Sequence, residues 1–192
     1  HWMKRKAAER NCAIAGSVAV CENGNYYNRF YFVHPDGAVQ HYDKKHLFTF
    51  GGEHKRFTAG TERVVVNFRG VRILLEICYD LRFPVWARNL GDYDMILYVA
   101  SWPTPRVDAW SALLRARAIE NQCYVAGVNR MGVDPACEYS GGSAIIDPYG
   151  KTIAECPWSR ESAVSADIDM EALQAFRKKF PVLDDADPFT LI

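Results

Sequence analysis

Val71-Arg72-Ile73-Leu74-Leu75-Glu76-Ile77-Cys78-Tyr79-Asp80-Leu81-Arg82-Phe83-Pro84 is the stretch on which the reading of the chain turns. Its first half is an almost unbroken apolar run, the pattern of a strand covered on both faces. Cys78 falls where that strand should end, and a short helix is expected from Phe83 to Leu90, with Pro84 near its start. A tight turn between the two carries the sulfur outward, and the helix start favours a thiolate through its partial positive charge. The alternative is a small buried core thiol, the commoner fate of a cysteine. The rest of the chain weighs on that choice.

Downstream, strand and helix patterns alternate. Met95 to Ala100 and Cys123 to Val128 read as strands. Arg106 to Asn121 reads as a helix with Trp110, Leu113, Leu114 and Ala118 on one face. Val164 to Ile168 is expected as a last strand, and Met170 to Phe180 as a helix stopped by Pro181. Upstream, His1 to Asn11 reads as the tail of a helix already under way, followed by an apolar strand from Cys12 to Val20 and a polar turn at Glu22-Asn23-Gly24-Asn25. Two hairpins echo each other. Tyr27 to Val33 and Ala38 to Tyr42 flank His34-Pro35-Asp36-Gly37, while Ser143 to Ile146 and Lys151 to Glu155 flank Asp147-Pro148-Tyr149-Gly150. Such alternation implies an α/β sandwich with its sites at the C-terminal ends of strands. Cys78, Ser101-Trp102 and Asn129-Arg130 lie at such ends and are expected to converge on one cleft.

The 192 residues are 49% hydrophobic with zero formal net charge, enough for one domain with a sizeable core. That balance gives no reason to expect nucleic acid or an anionic membrane as partner. The cysteines at 12, 21, 78, 123, 137 and 156 form no C-x-x-C pair, so neither a zinc site nor a disulfide framework is indicated. No signal peptide opens the chain and no apolar run is long enough to span a membrane. A reduced, cytoplasmic protein is the expectation, with no metal and no cofactor.

A thiol attacking a carbonyl or nitrile carbon needs a proton acceptor, a donor to the leaving amine and stabilisation of the oxyanion. The five histidines, at 1, 34, 41, 46 and 54, all precede Cys78, which counts against the papain order of a cysteine protease. Lysine and glutamate are the other partners. In a strand continuing from Ala38, Lys44 shares a face with Tyr42 and His46. Glu53, beyond Gly51-Gly52, is placed to position that lysine.

Tyr42-Asp43-Lys44-Lys45-His46-Leu47-Phe48, followed by Glu76-Ile77-Cys78-Tyr79-Asp80-Leu81-Arg82-Phe83-Pro84, resembles the nitrilase, or carbon–nitrogen hydrolase, superfamily. Ala116-Arg117-Ala118-Ile119-Glu120-Asn121 and the stretch from Gly142 to Gly150 extend the resemblance in the same order. Asn28-Arg29-Phe30, Gly52-Glu53-His54, Ser101-Trp102-Pro103 and Phe180-Pro181 are most similar to the omega-amidase branch, which hydrolyses the amide of 2-oxoglutaramate-like compounds. The resemblance implies a four-layer αββα sandwich and a Glu–Lys–Cys triad. In it Cys78 matches the nucleophile and Lys44 the lysine that stabilises the oxyanion. The backbone N–H of Tyr79 matches a second oxyanion donor, and Glu53 a second glutamate that orients the lysine.

One departure follows. The family's general-base glutamate and its first strand have no counterpart here, since Glu9 lies on the opening helix and Glu22 in a turn. The expectation is one N-terminally truncated hydrolase domain over 1–192, with little activity by itself, ending in an arm over 184–192. For a small carboxylate-bearing amide, Arg82, Arg106 and Arg130 are candidate cations. Arg117 is less attractive, because its place on the apolar stripe suggests an internal pairing. Phe48, Tyr79 and Trp102 could wall the pocket. Two functions compete: a cysteine amidase releasing ammonia through an acyl-enzyme, and a silent homologue that binds small molecules or partners. The resemblance also implies a homodimer or higher homo-oligomer.

Overall fold

The computed structural model describes residues 1–190; the last two positions of the expected C-terminal arm lie outside the described residues. In chain order the elements are α1 (Trp2–Arg10), β1 (Ile14–Glu22), β2 (Asn25–Val33), β3 (Val39–Asp43), β4 (Val65–Phe68), β5 (Val71–Ile77), β6 (Met95–Ala100) and α2 (Val107–Glu120). There follow β7 (Tyr124–Asn129), β8 (Met131–Val133), β9 (Glu138–Ser140), β10 (Ala144–Ile146), β11 (Thr152–Glu155) and α3 (Met170–Lys179).

β1, β2 and β3 form one antiparallel sheet, while a second runs in the order β11-β10-β7-β6-β5-β4, and β8 and β9 make a separate ribbon. The centre of the larger sheet, β5-β6-β7, is parallel, as continuous apolar runs with helical crossovers require. The two-residue side-chain period then sorts β5 between two cores. Ile73, Leu75 and Ile77 face the smaller sheet and meet Phe30, Phe32 and Tyr42. Leu74 joins Ile96, Tyr98 and Val125 against Trp110, Leu114 and Ala118 of α2. Each buried Leu, Ile, Val or Phe among them contributes roughly 1.5–3 kcal/mol. Gly127 allows the close approach of α2, because a Cβ there would lie 2.6 Å from Leu114 and 2.8 Å from Trp110.

α1 lies on the outer face of β1 and β2 with Ala7 buried beneath it. The order is helix, sheet, sheet, helix: the αββα sandwich. α3 is N-capped by Asp169, whose carboxylate accepts from Ala172 N at 2.8 Å. Arg177 ties α3 to the larger sheet through Asp94, the Tyr93 carbonyl and the Gln122 carbonyl, each at 2.9 Å.

Three expectations need correction. The helix from Phe83 to Leu90 does not form. A five-residue 3-10 turn, Cys78–Arg82, ends at Phe83 with φ −115° and ψ 86°, the extended conformation that a following proline imposes. Beyond it the backbone makes two long turn bonds, Ala87 N to the Phe83 carbonyl at 3.4 Å and Arg88 N to the Val85 carbonyl at 3.3 Å, and Asn89 holds the rest by donating to the Tyr93 and Asn121 carbonyls. The segment from Val164 to Ile168 forms no strand and pairs with none among the described residues, and Val164 itself is exposed. Finally, β3 stops at Asp43, so Lys44 and His46 lie past its end and do not continue its face. β4 and the β8–β9 ribbon are additions that the sequence reading did not contain.

Candidate active site

β5 delivers Cys78 to the cleft between the sheets. Its φ is +49°, in the left-handed region that a residue with a Cβ adopts at a cost. The strain is held in place by Asp80, which is fully buried. One Asp80 oxygen accepts from Ile77 N at 3.0 Å and from the Tyr42 hydroxyl at 2.8 Å. The other accepts from His46 N at 2.9 Å and faces His46 Nδ1 at 2.8 Å. Tyr42 in turn accepts from Lys45 N at 3.0 Å, and the His46 ring stacks on Phe83 at 3.8 Å.

Lys44 is buried directly after β3. Its N–H donates to the Asn28 carbonyl at 3.0 Å and its own carbonyl accepts from Gly60 N at 2.9 Å. Its ammonium donates to Glu53 Oε2 at 2.6 Å. The same oxygen accepts from Phe48 N at 2.6 Å, and Oε1 accepts from Asn28 Nδ2 at 3.2 Å. Burial acts to raise the Glu53 pKa, but the Lys44 charge and these donors outweigh it and hold the carboxyl below its ordinary range. Glu53 is therefore ionised and committed to Lys44.

The Cys78 sulfur lies 3.9 Å from the Ser101 carbonyl. Burial pushes the thiol up, and the nearby Lys44 charge opposes this without overcoming it. The thiolate expected from a helix start is not favoured. The turn is five residues long and desolvation of the sulfur is the larger effect.

Lys44, Glu53, Cys78 and Tyr79 all line one cleft of about 560 Å³. Phe48 and Trp102 wall it, and Arg82, Arg106 and Arg130 border it. Arg82 lies over the Trp102 ring at 5.0 Å and Arg106 over the Phe48 ring at 5.5 Å. Arg130 lies over Tyr139 at 4.4 Å and within 3.8 Å of Asp134. Asn129 locks the Trp102 wall, accepting from Trp102 N at 2.7 Å and donating to its carbonyl at 3.0 Å. Arg117 stands apart from the cleft: it is buried, pairs with Glu120 at 2.7 Å and donates to the Leu81 carbonyl at 2.6 Å.

Sequence reasoning missed Asn28, Tyr42 and Asp80 as parts of the site. Asp80 had a visible signal, a carboxylate two residues past the cysteine in an otherwise apolar neighbourhood. Among the described residues, no three His, Cys, Asp or Glu side chains cluster as a metal site. No helix among them is long and apolar enough to cross a membrane.

An ammonium clamped by a carboxylate, beside a thiol raised on a strained strand end, is suited to polarising a carbonyl for attack by sulfur. The αββα sandwich with this site defines the chain as a carbon–nitrogen hydrolase, and the model of that family matches residues 1–178; the chain belongs to it. Among its relatives, omega-amidase YafV from Escherichia coli is 52% identical over 192 residues, all of this chain and 75% of that protein. The 2-oxoglutaramate amidase of Bacillus subtilis is 42% identical over 188 residues, covering 96% of this chain and 72% of its own. A solved structure of a CN-hydrolase superfamily protein from Xanthomonas campestris, with an arsenic adduct in its active site, superposes with a TM-score of 0.96. It is 46% identical and matches 99% of this chain and 75% of its own.

Proposed function

We propose that the cleft hydrolyses the amide of a small carboxylate-bearing substrate of the 2-oxoglutaramate kind, with Cys78 as nucleophile. The observation that carries this reading is the Lys44–Glu53 pair, 2.6 Å apart, lining the same cleft as Cys78. The names of the relatives at 52% and 42% identity supply the substrate class.

In this reading the Cys78 sulfur adds to the amide carbon and the proton it gives up passes to the amide nitrogen, the C–N bond breaking as that nitrogen is protonated. The oxyanion is met by the Lys44 ammonium and by the Tyr79 N–H, which sits too early in its 3-10 turn to have a carbonyl partner within it. The amine departs as ammonia after receiving a proton, leaving a thioester on Cys78. Water then attacks the thioester, releasing the acid and restoring the thiol. Glu53 holds Lys44 in place. Phe48 and Trp102 keep the reacting atoms dry.

For the substrate carboxylate, Arg106 is the preferred partner. Arg130 has Asp134 nearby, whereas Arg82 and Arg106 have no carboxylate partner among the described residues, and Arg106 is the less exposed of those two. Arg106→Met should raise KM for a carboxylate-bearing amide and leave that for a neutral amide unchanged.

One observation favours a second reading, a silent homologue that binds amides without turning them over. Glu53 is the one carboxylate lining the cleft among the described residues, and Lys44 already occupies it. Ammonia release from 2-oxoglutaramate, followed together with the intact mass of the protein, separates the two. Steady release that Cys78→Ala abolishes establishes the amidase and shows that the residues described here suffice. Binding with neither release nor a thioester adduct establishes the silent homologue.

Self-association belongs to the same reading. Val85, Leu90 and Ile119 are exposed apolar side chains on neighbouring segments that Arg88 joins by donating to the Glu120 carbonyl. Sedimentation as a clean monomer at micromolar concentration would remove that part.

A further inference from the structure

Lys44 and Cys78 come from different sheets, Lys44 from the end of β3 and Cys78 from the end of β5. Their separation depends on whatever ties the two strand ends together. Asp80 is the side chain that spans them. Of its four hydrogen-bond partners, Ile77 N belongs to the nucleophile turn, while the Tyr42 hydroxyl, His46 N and His46 Nδ1 belong to the segment carrying Lys44. A carboxylate offers about four lone-pair sites, and all four are used here with no exposure to water. Tyr42 extends the tie to the residue next to Lys44 by accepting from Lys45 N.

We infer that Asp80 is a positioning residue whose bridge between the two sheets holds the Lys44 ammonium within electrostatic reach of the Cys78 sulfur. The inference rests on the proposed pairing of Lys44 with Cys78, but its test needs no turnover. Asn cannot replace Asp80 in this place. It offers one acceptor oxygen and one NH₂ donor. Tyr42 and His46 Nδ1 could reverse and accept from that NH₂, but a backbone N–H cannot. One flip therefore orphans His46 N and frees the lysine segment, while the other orphans Ile77 N and frees the nucleophile turn.

The charged groups facing the sulfur are Lys44 and Glu53 from the smaller sheet's side, Asp80 from its own turn, and Arg82, Arg106 and Arg130 around the cleft. Asp80 acts on Cys78 with two opposite signs. As a negative charge nearby it raises the thiol, so its removal alone lowers the pH at which the thiolate forms. As the bridge it keeps Lys44 close, so its loss raises that pH. The sign of the shift decides.

The experiment is the pH dependence of iodoacetamide labelling at Cys78, resolved by peptide mass, in wild type, Lys44→Met, Asp80→Asn and Tyr42→Phe. Arg177→Gln, which loosens α3 far from the cleft, serves as the control for stability loss alone. Lys44→Met should raise the midpoint by about one pH unit, the effect of removing an opposite charge at short range. Asp80→Asn should raise it in the same direction by a smaller amount, and so should Tyr42→Phe, which removes no charge. Arg177→Gln should lower Tm and leave the midpoint unchanged. A midpoint that falls or stays put in both bridge variants, while Lys44→Met raises it, overturns the inference and leaves the proposed function standing. No shift in Lys44→Met sinks both the proposed role of Lys44 and the inference. If Asp80→Asn fails to fold, Tyr42→Phe decides alone.

Discussion

Lys44 Nζ and Glu53 Oε2 stand 2.6 Å apart with 3% and 14% of their side chains exposed, so each is the counter-charge that makes the other's burial tolerable. Breaking such a pair from one side leaves an uncompensated charge, which costs more than removing both charges together.

Lys44→Met should therefore lose both turnover and stability. Turnover should fall by roughly 10²-fold or more, the effect of losing an oxyanion donor. Tm should drop as well, because Glu53 is left buried without its counter-charge. Adding Glu53→Gln to that variant should restore part of the Tm and none of the turnover. Thermal melts and kcat on the single and double variants check this, and full activity in Lys44→Met removes it from the mechanism.

Acid should weaken the fold partly through Glu53. Its folded pKa is depressed below the ordinary 4.5, so its contribution is fully present above that value and is lost as pH falls through the folded pKa. Asp94, which its Arg72 hydrogen bonds hold below its ordinary 3.8 despite burial, fades in the same direction and keeps some acid sensitivity in any Glu53 variant. Denaturant titrations at stepped pH should show wild type and Glu53→Gln differing most near neutrality and converging in acid. A constant gap down to strongly acidic pH would contradict this.

Cys78 should label as a thiol whose pKa is raised. Iodoacetamide incorporation there should keep climbing through pH 9.0, the ordinary thiol value, with no plateau near neutrality. Cys123, buried and pushed much further up, should stay unlabelled until the protein unfolds. Peptide mapping over a pH series decides it, and a neutral plateau at Cys78 would show that Lys44 outweighs burial.

Gly60→Ala should disturb the lysine from behind. An added Cβ would lie 2.0 Å from the Asp43 carbonyl oxygen, and Gly60 N donates to the Lys44 carbonyl at 2.9 Å. The backbone must move, at about 1–3 kcal/mol for overpacking, and it moves at the residues that aim the ammonium. Tm and kcat should fall together. A variant with wild-type kcat and lowered Tm would show that the lysine is aimed by its other contacts alone.

The strand Val71–Ile77 was legible because a parallel strand buried on both faces must be apolar throughout, and the two hairpins because Pro-Asp-Gly and Pro-Tyr-Gly admit few other conformations. Cys78, Lys44 and Glu53 stood out by residue type within motifs, and the cleft brings those three together. The helix at Phe83 to Leu90 was misread because composition suited a helix while Pro84 acted on the residue before it. Val164 to Ile168 has a strand's composition but pairs with no strand among the described residues, and a ladder needs a partner that no single segment specifies.

The chain by itself determined the buried central strands, the two Pro-x-Gly hairpins and which side chains are candidates for reactive chemistry, because those depend on local sterics, residue type and the periodicity of burial. Only the tertiary structure decided the state of that chemistry. Burial raises the Cys78 thiol against the pull of Lys44, Glu53 is spent on Lys44 and Phe48 N, and Asp80 crosses between sheets to meet Tyr42 and His46 from 34 and more residues away. Desolvation and Coulomb energy depend on distances through space, and those distances exist only once the two sheets have packed.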